Sequence, residues 1–251
     1  VRTVLVTGAS SGIGAACALE LARRREALVL CARRADRLAE VAARAREAGA
    51  SDVVSFTLDV REREAVERWG GEQAALLARV DVLVNSAGLA RGFGPLAEND
   101  PDDWDEMIDT NVKGLLYVTK ALLPHLVARR GHVVNIGSVA GHSVYPKGAV
   151  YCASKFAERA ITEGLRMDLV GSGVRVSTVD PGMVETEFSL VRFHGDAPRA
   201  ARVYDGMTPL RAADIAETIA WIVDRPAHVN IAEVVILPTD QASPTLVHRR
   251  G

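Results

Sequence analysis

Val4-Leu5-Val6-Thr7-Gly8-Ala9-Ser10-Ser11-Gly12-Ile13-Gly14 decides how the rest of this chain is read. A short aliphatic run ends at Thr7, glycines follow, and an Ala- and Leu-rich stretch of helical period begins. Gly8 lets the chain turn tightly off a strand, Gly12 lets main chain approach a pyrophosphate, and Gly14 lets a helix lie close to a sheet. The helix N-terminus carries unpaired N–H groups and a partial positive charge, which suits phosphate. Ser10, Ser11 and Ile13 complete the turn and join the three glycines as candidates for binding a dinucleotide. The spacing is GxxxGxG, not the commoner GxGxxG, and such glycines often serve only as turn residues. Their place directly after the first strand gives the pattern weight.

Downstream, short apolar runs alternate with amphipathic stretches. Strands are expected at Ala27–Cys31, Val53–Leu58, Val82–Val84, His132–Ile136, Val174–Val179 and Glu233–Leu237. Helices are expected from Gly12 to about Arg24, and at Ala35–Ala48, Glu62–Ala78, Ala149–Val170 and Ala213–Val223. A long helical region from about Pro101 to Ala128 should break near Asp100-Pro101. Continuous Val/Leu/Ile runs mark strands buried on both faces. The alternation implies a single-domain, Rossmann-type, doubly wound α/β fold, a mainly parallel seven-stranded sheet with helices on both faces. Only the stretch at about 182–210, rich in Pro, Gly and charge, breaks the rhythm. It follows the carboxyl end of a strand, where such sheets bind ligands, and reads as a substrate lid with some helix of its own.

The formal net charge of −2 over 251 residues offers no basic stripe for nucleic acid or an anionic membrane. The three cysteines, Cys17, Cys31 and Cys152, lack metal-ligand spacing and read as reduced thiols of a cytoplasmic protein. The opening residues read as a strand, not a signal peptide, and no apolar run is long enough to span a bilayer.

The second strand ends Leu30-Cys31-Ala32-Arg33-Arg34. An NAD site would want an acidic residue here for the ribose 2′-hydroxyl; Arg33, and after it Arg34, suit the 2′-phosphate of NADP instead. Solvated arginines at a helix start would look the same. Asp59-Val60 closes the third strand, where Asp59 reads equally as an acceptor for adenine or as a helix N-cap.

Tyr151 and Lys155 stand four residues apart on a helix and share a face. An ammonium beside a phenol favours the phenolate, and a Tyr tuned in this way can serve as general acid or base near neutral pH. Ser138, after the fifth strand, is a candidate to hold a carbonyl oxygen beside the Tyr hydroxyl. YxxxK alone is weak, since a packed Tyr and a snorkelling Lys satisfy it. With Ser138 and the glycine turn, chance explains the set poorly.

These pieces, with Asn85-Ser86-Ala87-Gly88, Asn111 and Asp180-Pro181-Gly182, run in one order over nearly the whole chain, which in this respect resembles the short-chain dehydrogenase/reductase family. The resemblance implies that Tyr151 is the catalytic acid/base and that Lys155 supports it and binds the nicotinamide ribose. It implies that Ser138 polarises the substrate carbonyl and that Asn111 holds a water in a proton relay. Asn85, Ala87 and Gly88 would support the sheet centre and contact the cofactor; Pro181, Gly182, Val184 and Thr186 would meet its nicotinamide end. Ser86 replaces the family's second Asn, which puts one local hydrogen bond in doubt.

A narrower resemblance rests on Glu185 to Asp196, on Pro226 to Ile231, on Met107 to Leu115 and on the tail from Pro238 to Arg249. These are similar to the NADP-dependent 3-hydroxy acid dehydrogenases, which implies oxidation of a 3-hydroxy acid, or reduction of its semialdehyde, by a homotetramer. A carboxylate substrate needs a cation. Arg192 is the candidate, with Lys147 and Arg91 as alternatives; a plain surface arginine paired with Glu187 or Asp196 explains Arg192 equally well. His194, His228 and His248 have no ligand spacing, so no metal is expected. No GxSxG elbow supports a hydrolase. A dinucleotide sensor would not need Ser138, Tyr151 and Lys155 together. A reductase of 3-oxoacyl thioesters or of diverse carbonyl compounds would share all three and differ only in substrate.

Overall fold

The computed structural model describes residues 1–250. β1 (Thr3–Thr7) leads through the glycine turn into α1 (Gly12–Arg23), then β2 (Ala27–Ala32), α2 (Ala35–Glu47) and β3 (Asp52–Thr57). Two helices follow, α3 (Arg63–Glu72) and α4 (Ala74–Leu77), where the sequence pattern predicts one over Glu62–Ala78. The interruption at Gln73 comes directly after Gly70-Gly71-Glu72, and paired glycines weaken a helix.

β4 (Val80–Asn85) precedes a long loop and α5 (Pro101–Ile108). The Asp100-Pro101 pair starts this helix and does not break it: the Asp100 carboxylate accepts from Asp102 N–H at 3.0 Å, and Pro101 takes the first turn, where no N–H is needed. The irregularity lies further on, in a π-helical turn at Asp109–Gly114 that runs into α6 (Leu115–Arg129). β5 (His132–Ile136), α7 (Ala149–Asp168) and β6 (Arg175–Pro181) follow. The stretch expected as a lid holds β7 (Val184–Glu185), α8 (Phe188–Arg192), α9 (Ala197–Arg202) and β8 (Leu210–Arg211). α10 (Ala212–Val223) and β9 (Glu233–Ile236) end the fold.

The seven strands of the main sheet run in the order β3-β2-β1-β4-β5-β6-β9, and every pairing is parallel. Alternate side chains of each strand feed two cores. Val4, Val6, Val82 and Val84 pack with Leu21, Ile215 and Ile219 from α1 and α10. Leu5, Leu83 and Val133 pack with Leu122 and Leu126 from α6 on the other face. Strand order reverses between β1 and β4, so the crossovers diverge there and leave a crevice at the carboxyl edge. β7 and β8 form a separate two-stranded parallel ribbon beside that crevice. Among the described residues no helix is long and apolar enough to cross a membrane.

Candidate active site

The crevice is a groove of about 430 Å³ running along the carboxyl ends of the strands. One end is built from main chain. Gly8 has φ +65°, and a Cβ there would sit 2.8 Å from the Ser86 carbonyl oxygen. A Cβ on Gly14 would sit 2.5 Å from the Gly8 carbonyl oxygen, so neither position takes a side chain. Ser11 is the extended N-cap residue of α1, yet its hydroxyl makes no capping bond. It accepts instead from the Arg34 guanidinium at 2.5 Å, leaving the N–H groups at the start of α1 without a side-chain acceptor. Ser10, Gly12 and Ile13 line the same floor. A dinucleotide pyrophosphate fits this cradle: positions 8 and 14 bring main chain close, and the start of α1 has no side-chain cap.

Arg33 and Arg34 both line the groove, but they face different neighbours. Arg34 leans on the hydroxyls of Ser10 and Ser11 and forms an ion pair with Glu187 at 2.9 Å. Arg37 pairs with the same carboxylate from α2. Glu187 therefore joins the lid stretch to the edge of the groove, and the two guanidinium groups outweigh partial burial to hold its carboxyl below the ordinary range. Arg33 reaches Glu106 at 3.4 Å, and Arg91 holds that carboxylate more tightly, at 2.6 Å.

Asp59 and Val60 line the groove beyond β3. Of the two readings of Asp59, the N-cap is corrected: Glu62 takes that position for α3. The Asp59 carboxylate is bound by Arg61, at 2.6 Å from Nη2 and 3.0 Å from Nε, which outweighs burial and lowers its pKa.

At the sheet centre Thr7 Oγ1 accepts from the N–H groups of Ser86 and Ala87, at 3.0 and 3.1 Å, and ties β1 to the turn after β4. Asn85 donates to Thr119 Oγ1 and Asn135 Oδ1. Ala87, Gly88, Pro181, Gly182, Val184 and Thr186 all line the groove.

The other end of the groove carries the reactive side chains. Ser138, Tyr151 and Lys155 all line it. Ser138 Oγ accepts from Ala140 N–H at 3.1 Å, so its own hydrogen remains free to donate. The Tyr151 ring packs edge-on against Phe188 of α8 at 5.5 Å. Lys155 Nζ donates to the Ile136 carbonyl at 2.8 Å and to Glu158 at 2.7 Å. Asn111 stands one layer behind, in the π turn: its amide donates to the Leu89 carbonyl and Ser154 Oγ and accepts from Leu89 N–H. Irregular helical turns of this kind are frequent at functional sites.

Arg192 lies beside the groove and makes no ion pair among the described residues. The two carboxylates that would make it a plain surface arginine are otherwise engaged: Glu187 by Arg34 and Arg37, Asp196 as the N-cap of α9. Its guanidinium stacks over Phe93, Tyr145 and Tyr151, 5.7 Å from the Tyr151 ring centroid, and donates to Tyr145 Oη at 2.8 Å. Of the alternatives, Arg91 lines the groove but is tied to Glu106, and Lys147 does not line it.

Sequence reasoning missed Glu158, Glu106 and Tyr145. Glu158 had a signal, since it stands three residues after Lys155 and seven after Tyr151 on one helix face. It also missed a chain behind the groove. His142 Nε2 meets Asp180 at 2.6 Å, and His142 Nδ1 lies 3.8 Å from Glu233. These groups have metal-ligand chemistry and proximity. However, Asp180 also accepts from Thr178, and Glu233 is held by Arg159. They form a chain of polar contacts whose carboxylates already have partners.

The model of the short chain dehydrogenase family matches residues 2–195. The chain is 43% identical to the NADP-dependent 3-hydroxy acid dehydrogenase YdfG of Salmonella typhi, over 98% of this chain and 99% of that protein. It is 45% identical to sulfoacetaldehyde reductase 2 of Chromohalobacter salexigens, over 95% of each. Among solved structures, the closed form of serine dehydrogenase complexed with NADP+ superposes with a TM-score of 0.90 at 41% identity, over 99% of this chain and 100% of that one.

Proposed function

As the chain belongs to the short-chain dehydrogenase family, we propose that it is an NADP-dependent oxidoreductase that interconverts a small 3-hydroxy acid and its semialdehyde or keto form. The observation that carries this reading is Tyr151, Ser138 and Lys155 facing one groove, with the unpaired Arg192 guanidinium stacked over the Tyr151 ring.

When bound, NADP supplies or takes up the hydride. The cradle from Gly8 to Gly14 and the start of α1 hold its pyrophosphate. Arg33 and Arg34 hold the 2′-phosphate, with Ser10 and Ser11 beside Arg34. Asp59 and Val60 flank the adenine. Asn85, Ala87 and Gly88 on one wall, and Pro181, Gly182, Val184 and Thr186 on the other, bracket the nicotinamide end.

Tyr151 Oη takes the hydroxyl proton of the substrate during oxidation and returns a proton to the carbonyl oxygen during reduction. Lys155, on the same helix face, supports Tyr151 and holds the nicotinamide ribose. Ser138 donates its free hydrogen to the substrate oxygen, and Asn111 supports a water that passes protons to Lys155. Arg192 binds the substrate carboxylate, its positive charge desolvated by aromatic faces and matched by no acid among the described residues. A sulfonate would meet the same guanidinium. The stretch at about 182–210 closes over substrate, with Glu187 reaching across to Arg34 and Arg37. The exposed Leu116 of α6 and Phe156 and Met167 of α7 support burial between subunits of a homotetramer. Three buried free thiols support a cytoplasmic location.

The test is NADP+ reduction with 3-hydroxy acids, run beside neutral secondary alcohols and with NAD+ as the cofactor control; sulfoacetaldehyde with NADPH probes the sulfonate. Turnover of acids with NADP+ is expected. Turnover of neutral alcohols alone would remove the hydroxy-acid assignment and leave Tyr151 chemistry intact.

A further inference from the structure

A lysine taken out of water loses its charge easily, because burial disfavours the ammonium. Lys155 is buried, with a side chain 7% exposed, yet the reading above needs it charged. The main-chain carbonyl of Ile136 gives it one acceptor at 2.8 Å, but a carbonyl brings no countercharge. The countercharge is Glu158, one helical turn further along α7, with Oε2 at 2.7 Å from Nζ and a side chain 3% exposed.

Nothing else in the packing of α7 explains a buried acid there. Glu158 Oε1 is buried with no hydrogen-bond partner, and the residue forms part of the groove lining. Hydrophobic residues of similar volume usually serve as well as a buried ion pair when packing alone is at stake. An acid retained at this cost, with one oxygen on the catalytic lysine and the other unpartnered, points to the lysine's charge as its purpose.

We propose that Glu158 is a positioning residue of the reaction, a carboxylate built into the groove floor that fixes the Lys155 ammonium on the Tyr151 side of α7 and keeps it charged. The inference rests on the reading of Tyr151 as acid/base. The groups that face the pair are few. Tyr151 and Lys155 share α7 with Glu158. Asp180 of β6 acts on both members of the pair, and it is tied to His142 and Thr178. Glu233, at the start of β9, lies beyond His142. Burial acts to lower Lys155, and Glu158, Tyr151 and Asp180 together lift it above the ordinary lysine range. Burial raises the Glu158 carboxyl to about 7, against the pull of Lys155.

The chain suits a direct test, because its other lysines are only Lys113, Lys120 and Lys147. Carbon-13 labelling of lysine Cε resolves Lys155 by NMR, and the Lys155→Met variant assigns its signal. Glu158→Gln keeps an acceptor for Nζ and removes the charge. The Lys155 midpoint is expected to fall by about 1–3 pH units in that variant. Glu158→Asp, which restores the charge on a shorter arm, should recover part of the fall. With a 3-hydroxy acid and NADP+, Glu158→Gln should lose turnover on the alkaline side, where the unmodified protein keeps it. An unmoved Lys155 midpoint in Glu158→Gln would overturn the proposal. If Glu158→Gln does not fold, Glu158→Met carries the same titration; loss of folding in both would make the pair a folding element and overturn the assignment. Failure of the parent reading is distinguishable. An active Tyr151→Phe sinks that reading whatever Lys155 does, whereas an inert Tyr151→Phe with an unmoved Lys155 sinks only the role of Glu158.

Discussion

The two ends of the strands use charge differently. At the amino-terminal ends, opposite charges meet, while Arg175 is held by main-chain carbonyls. Arg2 embraces Glu26 and Asp224, Arg24 reaches the same Asp224, and Arg129 holds Asp81, whose other oxygen accepts from Thr3 N–H. At the carboxyl ends, cations are left available. Among the described residues Arg192 meets no acid, Lys155 has a third donor free beyond Ile136 and Glu158, and Arg34 rests on serine hydroxyls and one lid carboxylate. The same seven strands carry both edges. The amino-terminal, paired end is proposed to hold the sheet together, and the carboxyl end, where ion pairs leave some donors free, to bind and react. Substitutions at one end should therefore change stability and spare turnover, and those at the other should do the reverse.

The largest effect on the paired end is expected from Glu26→Gln. Glu26 is buried against the half-buried Arg2, which keeps only Asp224 in the variant, so the loss falls at the low end of that for a broken buried pair. Denaturant unfolding should show a loss of about 3 kcal/mol, with turnover per folded molecule unchanged. A matching loss of turnover would break the division between the ends.

Arg192→Ala should show the opposite pattern. Loss of a charge-assisted bond to a carboxylate is worth about 2 kcal/mol, or roughly thirtyfold in KM for acids. Neutral carbonyl compounds should change far less, and unfolding by only about 1 kcal/mol, for the aromatic stacking that is lost. Equal effects on both substrate classes would remove Arg192 from the substrate site.

His132 gives a comparable effect at the amino-terminal edge, read through pH. It is buried on β5 with Nε2 on Ser177 Oγ at 2.8 Å and Nδ1 unpartnered. Burial, then the nearby Arg175 and Arg2, hold its imidazole down to about 3. The unfolded chain takes up that proton near the ordinary value of about 6.5, so stability is full above it and is lost as pH falls towards 3. By about pH 5 the loss should reach about 2 kcal/mol. His132→Gln should flatten that part of the pH–stability curve. A curve that keeps its slope in the variant would assign the acid sensitivity elsewhere.

The smallest change is expected from Arg34→Ala, about tenfold in preference for NADP over NAD, from loss of one guanidinium at the 2′-phosphate. It also severs one of the two links that Glu187 of the lid makes to the groove edge. A change in KM for substrate together with that for NADP would therefore show that the lid and the cofactor end act as one unit.

The cofactor end was legible in the sequence because its rules are local. Gly8, Gly12 and Gly14 answer to the backbone of a single turn, and Tyr151 and Lys155 to the pitch of a single helix. The parallel sheet followed from runs such as Ala27–Cys31, which bury on both faces. The rest depends on partners far along the chain. Nothing near Glu187 announces Arg34, and nothing near Glu106 announces Arg91 and Arg33. The status of Arg192 turns on where Glu187 and Asp196 point, which spacing along the chain does not fix. The π turn at Asn111 escaped for another reason: Asp109–Gly114 keeps helical composition, so period alone does not reveal its extra residue. Glu158 was within reach of helical spacing but reads as one more solvated acid until its burial is known.

The most direct test of the account is a comparison of Tyr151→Phe with the unmodified protein, with turnover, NADP affinity and unfolding free energy measured on the same preparations. Removing the hydroxyl should lower turnover by about 10²–10⁴-fold, as for loss of a general acid or base, and leave NADP affinity and stability within error. Retention of more than about a tenth of the activity would contradict proton transfer at Tyr151 and, with it, the assignment of chemistry to this end of the sheet.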